Sequence, residues 1–416
     1  MVVLMQTLTS LSPLGATCME LEARQGTSLT LPSAGEPLNP MLTCKGELNS
    51  VHIGEGKHDF DGEAAIGRIP VISANGTPLM ACNPAKARKL LRDDKAVKKW
   101  SKLGIFCIQL TFNPEQLKSQ LIAVGVDSGS KFEGMSVVGT SDTVLNIMSE
   151  ATSWVKRALK QRRQMRKARR YRNTRRRECR FDNRLSGKNW LSPSTKARWD
   201  AKLRIISQLK RIMPISKVVV EDIRAKTRKG SKKWNTNFSP LEVGKQYFYS
   251  KLRGMGMEVL LKSGMETKEL RKQYGLKKIS NKSKSVFESH CVDLWCLAAS
   301  ITGAKHPTTK SMHYMVPLRF NRRQLHMLQF SRGGIRRRQG GTLSLGLKKG
   351  TLVGHIKYGL CFLGGNMRNK FSLHSLADGK RITQQAKRED FKILTRIAFR
   401  TRFLPPINEV GILGGF

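Results

Sequence analysis

The spacing of apolar and polar positions predicts strands and helices from residue 69 onward, whereas residues 1–68 show no sustained periodicity. The first elements are a strand, an Asn-Gly turn and a basic helix that begins after Asn83, with Pro84 in its first turn. A second strand follows at GIFCIQLTF (104–112). Three further strands are predicted in the runs LIAVGVD, KFEGMSVVG and TVLNIM.

Helices and strands alternate in the next stretch of the pattern. In chain order they are a helix at STKARWDAKLRIISQLKRIM (194–213), a buried strand at SKVVVED (216–222), a helix at PLEVGKQYFYSKLRGMG, a strand at MEVLLK and an apolar helix at SVFESHCVDLWCLAASITG (285–303). This β-β-β-α-β-α-β-α order predicts an α/β fold built on an RNase H-like mixed sheet. Gly-rich, basic, strand-like pieces then predict a separate small β-rich domain at 310–416.

The net charge indicates a polyanionic partner. The chain has 76 Lys and Arg against 30 Asp and Glu, a formal charge of +46. A folded body this basic repels itself unless a polyanion neutralises it, which favours nucleic acid. No stretch approaches the ~18–20 apolar residues of a spanning helix, so a membrane partner is not expected. Residues 1–68 are mildly acidic and rich in Ser, Thr, Gly and Pro, so we predict disorder or an upstream extension of the coding frame.

Cysteine usage and the first residues indicate an intracellular protein. The eight cysteines are scattered and form no Cys-x-x-Cys pair, which argues against both a zinc ribbon and a disulfide framework. The opening MVVLMQTLTS lacks the cationic start of a secretory signal. A cytoplasmic location is therefore expected.

An arginine-rich run follows the predicted strand TVLNIM (143–148). Residues 156–180 contain 14 Lys or Arg among 25 residues, and Glu178 is the only acid. Without Glu at i+4 such a helix would repel itself in isolation, so we interpret it as a bridge helix lodged between nucleic-acid backbones. The arginines expected to bind RNA are Arg162, Arg163, Arg166, Arg169, Arg170, Arg172, Arg175, Arg176 and Arg177.

Two basic stretches in the β-rich segment are further candidates for nucleic-acid contacts. SRGGIRRRQGG (331–341) and RIAFRTRF (396–403) offer arginines for guanine edges in DNA or for the RNA backbone, and the sequence does not choose between these roles. The candidates are Arg332, Arg336, Arg337, Arg338, Arg400 and Arg402.

Four residues carry the candidate chemistry. Asp127 follows a buried strand and Glu221 ends another, so both carboxylates are expected at the carboxyl edge of the sheet. His290 and Asp293 are three residues apart on the last apolar helix, hence on one face. Phosphodiester cleavage by two metal ions needs several carboxylates at one point. We therefore expect Asp127, Glu221 and Asp293 to bind two Mg²⁺ (or Mn²⁺) ions, and His290 to position the water or the scissile phosphate.

These motifs resemble a known family. VGVDSG, VVVEDI and SHCVDLW are similar to the three RuvC motifs in chain order, and the arginine-rich helix RRQMRKARRYRNTRRR lies between the first and the second. This order resembles the transposon-encoded IscB and IsrB proteins of OMEGA systems, ancestors of the CRISPR type II effector nuclease. TPLMACNPAKARKLL resembles their amino-terminal PLMP domain, with Ala81 where the motif has its second proline.

The segment between Glu221 and His290 distinguishes members of that family. IscB and the CRISPR effector carry an HNH nuclease there, which needs a His general base, but these 68 residues contain neither His nor Cys. The chain therefore resembles IsrB, the form without HNH, and TnpB-type relatives are disfavoured because their Cys-x-x-Cys pair is absent.

The resemblance to IsrB implies an activity and its partners. It implies a Mg²⁺-dependent, RNA-guided endodeoxyribonuclease that nicks the non-target strand of a guide-matched duplex. The implied partners are a long non-coding guide RNA and double-stranded DNA with a short target-adjacent motif, bound by a monomeric ribonucleoprotein. Two alternatives remain open: a guide-independent RuvC-type structure-selective resolvase, and a non-catalytic RNA-binding protein that retains the fold.

The predicted organisation has eight segments. They are a disordered extension (1–68), a PLMP-like domain (69–118), the first RuvC segment (119–150), the arginine-rich bridge helix (151–190), the second RuvC segment (191–225), a RuvC insert with connecting helix and strand (226–284), the third RuvC segment (285–309) and a basic β-rich domain for RNA and target-adjacent-motif binding (310–416).

Overall fold

The computed structural model describes residues 67–115, 119–127, 129, 131–171, 191–222, 239–320, 324–329 and 335–406, with the backbone alone for 169–170, 324–329 and 335–340. The predicted extension 1–68 lies outside the described residues except for Gly67 and Arg68. Within the ranges given, no helix is both long enough and apolar enough to cross a bilayer.

A four-stranded sheet with one helix comes first in the described chain. Its elements are β1 (Ile69–Ile72), β2 (Pro78–Cys82), α1 (Pro84–Arg92), β3 (Ala96–Trp100) and β4 (Phe106–Leu110), in the sheet order β2-β1-β4-β3. The predicted Asn-Gly turn joins β1 to β2, with Gly76 at a φ of +89°. Asn83 caps α1 by accepting a hydrogen bond from the backbone N–H of Lys86 at 2.9 Å, as its place before Pro84 indicates.

Five strands form the centre of a larger mixed sheet. They are β5 (Ala123–Val126), β6 (Phe132–Val138), β7 (Thr143–Glu150), β8 (Lys217–Glu221) and β9 (Glu258–Lys262), in the order β7-β6-β5-β8-β9. β6 is antiparallel to both of its neighbours, whereas β8 is parallel to both β5 and β9. Numbered within this sheet, the order is third, second, first, fourth, fifth with the second strand reversed, which is the RNase H-like arrangement. The predicted fold class is confirmed.

The helices that follow in the described chain cover both faces of this sheet. They are α2 (Trp154–Tyr171), α3 (Pro193–Lys210), α4 (Pro240–Arg253), α5 (Gly264–Gln273), α6 (Phe287–His290) and α7 (Val292–Thr302). On one face, Trp199 of α3 and Phe248 of α4 join Val124 in the main core. On the other face, Leu294 of α7 packs with Val219 of β8.

Two glycines allow α6 and α7 to lie against the sheet at backbone distance. A Cβ on Gly125 of β5 would be 1.9 Å from the carbonyl oxygen of Leu294, and one on Gly134 of β6 would be 2.2 Å from the carbonyl oxygen of His290. A side chain at either position would therefore push the helical segment off the sheet. These glycines thus set the distance between the strands and the helix that carries Asp293.

The apolar helix predicted at 285–303 is in fact two helices. The chain bends at Cys291, whose φ of −118° and ψ of −18° separate α6 from α7. Its thiol is buried and lies 3.6 Å from the carbonyl oxygen of Ile147 in β7. The predicted placement of His290 and Asp293 on one continuous helix is therefore wrong. The sequence does not reveal the bend, because the apolar pattern continues on both sides of it and both helices pack against the sheet.

The strands after residue 310 belong to several sheets. β10 (Met312–Pro317) pairs in parallel with β7. Between β10 and the last strand lie the hairpin β11 (Gln324–Gln329) and β12 (Ile335–Gly340), the short pair β13 (Leu343–Ser344) and β14 (Leu347–Lys348), and the strands β15 (Thr351–His355), β16 (Gly359–Met367), β17 (Lys370–Ser375), β18 (Arg381–Ala386) and β19 (Phe391–Arg396). The last five form one antiparallel sheet in the order β18-β17-β16-β15-β19.

The last described strand returns to the central sheet. β20 (Phe399–Leu404) pairs antiparallel with β10, so the full order is β20-β10-β7-β6-β5-β8-β9. The predicted β-rich character of 310–416 is present. Its first and last strands, however, complete the central sheet, because β7 presents an edge that β10 can pair with in parallel.

The packing of β10 against β20 can be tested at His313 in β10. Its ring lies edge-on to that of Phe403 in β20, with 5.5 Å between the ring centroids, and burial lowers its pKa to about 4. Below about pH 6.5 the unfolded chain binds a proton at this His that the folded protein does not, so the free energy of unfolding should fall from pH 6.5 towards pH 4. We expect His313→Gln to lose less stability over this range.

Urea unfolding of wild type and His313→Gln at pH 7 and pH 5 checks this expectation. His306→Gln, at an exposed position in the loop before β10, is the matched control and should follow the wild type. Equal losses of stability in all three proteins would contradict a lowered pKa of His313 in the folded protein.

Candidate active site

Asp127 and Glu221 lie side by side at the carboxyl ends of two parallel strands. β5 and β8 pair with Val126 opposite Val220, so the next residues in register are Asp127 and Glu221. Side chains alternate between the two faces of a strand, and the residues two positions earlier both lie against Leu294 of α7. Both carboxylates therefore project from the face that α7 covers.

Asp293 is brought to the same face by α7. It lies in the first turn of this helix, and its side chain is only 10% exposed. Arg271 of α5 binds one carboxylate oxygen, with 2.5 Å between Nη1 and Oδ1, and Lys278 binds the other oxygen. The third predicted carboxylate is thus held by two cations that the sequence did not point to.

The negative charges of Asp127 and Asp293 both act on Glu221. Burial raises the pKa of Glu221, and the negative charges of Asp127 and Asp293 raise it further, while Lys278 and Lys282 oppose the shift. Like charges have this effect only when they are near one another in a partly desolvated site. The structure therefore brings Asp127, Glu221 and Asp293 together at one edge of the sheet.

His290 lies beside this group at the end of α6. Its ring packs edge-on against Phe132, with 5.4 Å between the ring centroids. The pKa of His290 is lowered, chiefly by burial and also by the charge of Lys282, and the charge of Asp127 opposes this shift. Its Nε2 donates a hydrogen bond to the carbonyl oxygen of Lys284 at 3.0 Å. In this arrangement His290 holds the loop that precedes α6.

The donor set suits a hard divalent cation. Carboxylate oxygens are the ligands that Mg²⁺ and Mn²⁺ prefer, and a cation would relieve the charge repulsion at Glu221. Among the residues that the structure describes, no three His, Cys, Asp or Glu side chains are placed to hold a metal ion as they stand. Both oxygens of Asp293 contact Arg271 and Lys278 instead. The residues fit a metal by type and charge, provided that Asp293 exchanges these cations for it.

Residues 69–236 match the family model described as RRXRR protein. The matched segment is less than half of the chain and includes Asp127 and Glu221. Two solved structures are similar to the chain: "T. thermophilus RuvC in complex with Holliday junction substrate", 14% identical with a TM-score of 0.24, and "Thermus thermophilus RuvC structure", 13% identical with a TM-score of 0.21. Each comparison covers 45% of this chain and 99% of the other. Among curated proteins no match was found.

The matched segment also contains the arginine-rich helix, most of which is exposed on every side. Each residue of α2 from Leu159 to Ala168 is exposed, including Met165 at 55%. A helix without a buried face is not stabilised by the core of its own chain. Of the predicted RNA-binding arginines, Arg162, Arg163 and Arg166 lie in this stretch, Arg169 and Arg170 are placed in α2 by their backbone, and Arg172, Arg175, Arg176 and Arg177 lie outside the described residues.

The candidate arginines of the β-rich segment differ in their surroundings. Arg400 donates from Nη1 to the carbonyl oxygens of Leu376, at 3.0 Å, and Ala377, so it holds the turn between β17 and β18. Arg402 is exposed, with its guanidinium carbon 4.8 Å from the centre of the Tyr314 ring. Arg336, Arg337 and Arg338 lie on β12, of which only the backbone is described, and Arg332 lies outside the described residues.

A network behind Glu221 was not predicted. The next residue, Asp222, accepts hydrogen bonds from Nζ of Lys245 at 2.7 Å and from the hydroxyl of Tyr249 at 3.1 Å, both on α4. The two adjacent acids therefore face opposite sides of the sheet: Glu221 faces α7 and Asp222 faces α4. Side chains alternate between the two faces of a strand, so adjacent acids in the run VVVED must face opposite sides. This alternation is the signal in the sequence that distinguishes Glu221, the candidate ligand, from Asp222, which anchors the strand end.

Proposed function

We propose that the protein is an RNA-guided DNA endonuclease that nicks the non-target strand of a guide-matched duplex. The observation that carries the proposal is the meeting of Asp127, Glu221 and Asp293 at the carboxyl edge of an RNase H-like sheet. A single acid at a strand end is commonly a structural cap. Three acids from two strands and a helix, gathered where their charges repel, point to a functional site that binds cations.

The chemistry of the site follows from its donors. Two Mg²⁺ ions held by Asp127, Glu221 and Asp293 would activate a water and stabilise the charge that develops on the phosphate. The chain's own role is to hold the three carboxylates on rigid elements, namely two strand ends and the first turn of a helix that is seated on glycines. His290 holds the covering loop by its hydrogen bond to Lys284.

Guide RNA binding is proposed for α2 and the arginines that follow it. Arginine forks bind phosphates in two-pronged hydrogen bonds, and the exposed surface of α2 offers them with no acid of its own helix to compete. Base pairing would read the target sequence, while the protein holds the heteroduplex by its shape. The target-adjacent motif would be read by the β-rich segment, where Arg402 keeps an exposed guanidinium.

Cleavage of one strand is proposed because a single carboxylate cluster serves one scissile phosphate at a time. The sequence between Glu221 and His290, where an HNH centre would stand, contains no His and no Cys. The displaced strand is the better substrate, since the guide-paired strand is held as a duplex.

A denaturing gel with the two strands labelled at different ends tests the proposal. Protein purified with RNA from its host, a matching duplex and Mg²⁺ should give one cut strand and one intact strand. Coordinated cutting of both strands would contradict the nickase assignment. Cleavage of branched DNA without RNA would support the resolvase alternative, and absence of cleavage under both conditions would support a non-catalytic RNA-binding protein.

Charge reversal on α2 should weaken RNA binding in a salt-dependent way. We expect the triple variant Arg162→Glu, Arg163→Glu, Arg166→Glu to bind RNA less tightly. Each phosphate contact that is lost should reduce the slope of log affinity against log salt by about 0.7–0.9, so the slope should fall by about 2. Filter binding at several salt concentrations measures this slope.

The control carries the same change of charge on another helix. Lys86, Lys89 and Arg92 are exposed on α1, and the proposal gives them no RNA contact. Their reversal to Glu should leave the slope close to wild type. Equal effects of the two triple variants would show that overall charge, and not α2, governs RNA affinity.

A further inference from the structure

A basic loop precedes α6 and lies against the carboxylates. We call residues 276–284 the lysine loop, because four of its nine residues are lysines. It is fixed to the segment that carries His290 and Asp293. Its contacts there are the hydrogen bonds from the Ile279 amide to the Glu288 carbonyl (3.1 Å), from Lys282 Nζ to the Ser289 carbonyl (2.8 Å) and from His290 to the Lys284 carbonyl (3.0 Å).

Arg271 and Lys278 lie on the solvent side of Asp293. The side chain of Asp293 is 10% exposed, whereas those of Arg271 and Lys278 are 22% and 34% exposed. Each cation contacts one carboxylate oxygen. The charge of Lys278 also acts on Glu221. The two cations are therefore more accessible to a substrate than the carboxylate that they bind.

We infer that Arg271 and Lys278 form a binding site for a phosphodiester of the strand to be cut, and that they exchange the Asp293 carboxylate for this phosphate. The inference rests on the proposed function. Guanidinium and ammonium groups bind carboxylates and phosphates by the same charged hydrogen bonds. In the free protein the pairs compensate a nearly buried acid. Once a metal ion neutralises Asp293, the two cations lose that partner, and the phosphate brings a new negative charge to the same place.

Removal of one cation should have opposite effects on two measurements. Without Lys278, less competes with metal for Asp293, so metal affinity should rise. Without Lys278, the phosphate also loses a partner, so cleavage should slow. A residue that only supports the fold would lower both quantities when it is removed.

Mn²⁺ binding to the full chain, followed by EPR spectroscopy, measures the first effect. Lys278→Ala and Arg271→Ala should each bind Mn²⁺ roughly 10-fold more tightly than wild type. Addition of Asp293→Asn to either variant should abolish this gain in affinity. Binding that remains in the double variant is Mn²⁺ bound at other sites, and it is subtracted as background. The matched control is Lys277→Ala, because Lys277 is exposed one residue earlier in the same loop and has no ion pair among the described residues. Unchanged or weaker Mn²⁺ binding in both variants contradicts the exchange, whether or not the wild type nicks DNA.

Nicking by the RNA-loaded protein measures the second effect. Lys278→Ala should cut about 10²-fold more slowly than wild type. A methylphosphonate removes one backbone charge. The methylphosphonate is placed in turn at each phosphate beside the cleaved bond. At one of these positions it should slow cleavage by the wild type, while cleavage by Lys278→Ala, which is already slow, should fall little further. Additive losses at every position would contradict a direct phosphate contact. A wild type that nicks with no copurified RNA contradicts the RNA-guided function alone, because the methylphosphonate result still decides the phosphate contact and the Mn²⁺ result still decides the exchange at Asp293.

Discussion

Alanine at Asp127, Glu221 or Asp293 is expected to lower the rate of nicking by about 10³-fold or more, while RNA and target binding stay close to wild type. The three carboxylates share one face of the sheet edge, and the charges of the two aspartates act on Glu221. Loss of any one would remove one of the three proposed metal ligands without touching the exposed basic surface of α2. Single-turnover nicking of a labelled non-target strand measures the rate, and gel shift measures binding.

Two controls make this test specific. Glu269→Ala removes an exposed acid from α5, close in sequence to Arg271, and should nick like the wild type. Asp293→Asn keeps the shape of the side chain that Arg271 and Lys278 contact, so a loss of activity there is not a loss of packing. If any one of the three alanine variants nicks at the wild-type rate, that residue is not a metal ligand.

Gly125→Ala is expected to lower the free energy of unfolding by about 3 kcal/mol. The new Cβ would be 1.9 Å from the carbonyl oxygen of Leu294, and backbone atoms of a packed helix have no alternative rotamer to adopt. α7 must therefore move away from β5, which also moves Asp293 away from Asp127 and Glu221. Urea unfolding should report the loss of stability, and nicking should fall below detection even at temperatures where the variant is folded.

Gly354→Ala is the matched control for this substitution. Gly354 is also a strand glycine, in β15, but a Cβ built on it has nothing within 4 Å. We expect this variant to keep both the stability and the activity of the wild type. A Gly125→Ala protein that is as stable as Gly354→Ala would show that α7 is not seated on β5 at backbone distance.

The order of elements in the central sheet could be predicted because each signal is local. The runs around Asp127 and Glu221 are apolar stretches of strand length that end in an acid, and parallel strands place their carboxyl ends at one edge. The cap at Asn83 is equally local, since its side chain bonds a backbone N–H three residues on. Such features depend on spacing along the chain, which the sequence displays directly.

The features that could not be predicted depend on contacts between distant segments. No periodicity indicates that Arg271 and Lys278 reach Asp293, because the pairing depends on how α5 and the lysine loop fold over α7. The bend at Cys291 is hidden for a different reason, since the residues on both sides of it are buried and apolar. The return of β20 to β10 joins strands that a whole β-rich segment separates in sequence.

β20 reaches the central sheet late in protein synthesis. When β10 has left the ribosome, its outer backbone groups have no partner until residues 399–404 have been made, and an unpaired strand edge invites other chains to add to it. Products that stall or are trimmed before residue 399 should therefore aggregate. In the finished protein the outer strand carries Arg400 and Arg402, and charges on an edge strand discourage further strand addition. The yield of intact protein should thus depend on a strand far from the carboxylates.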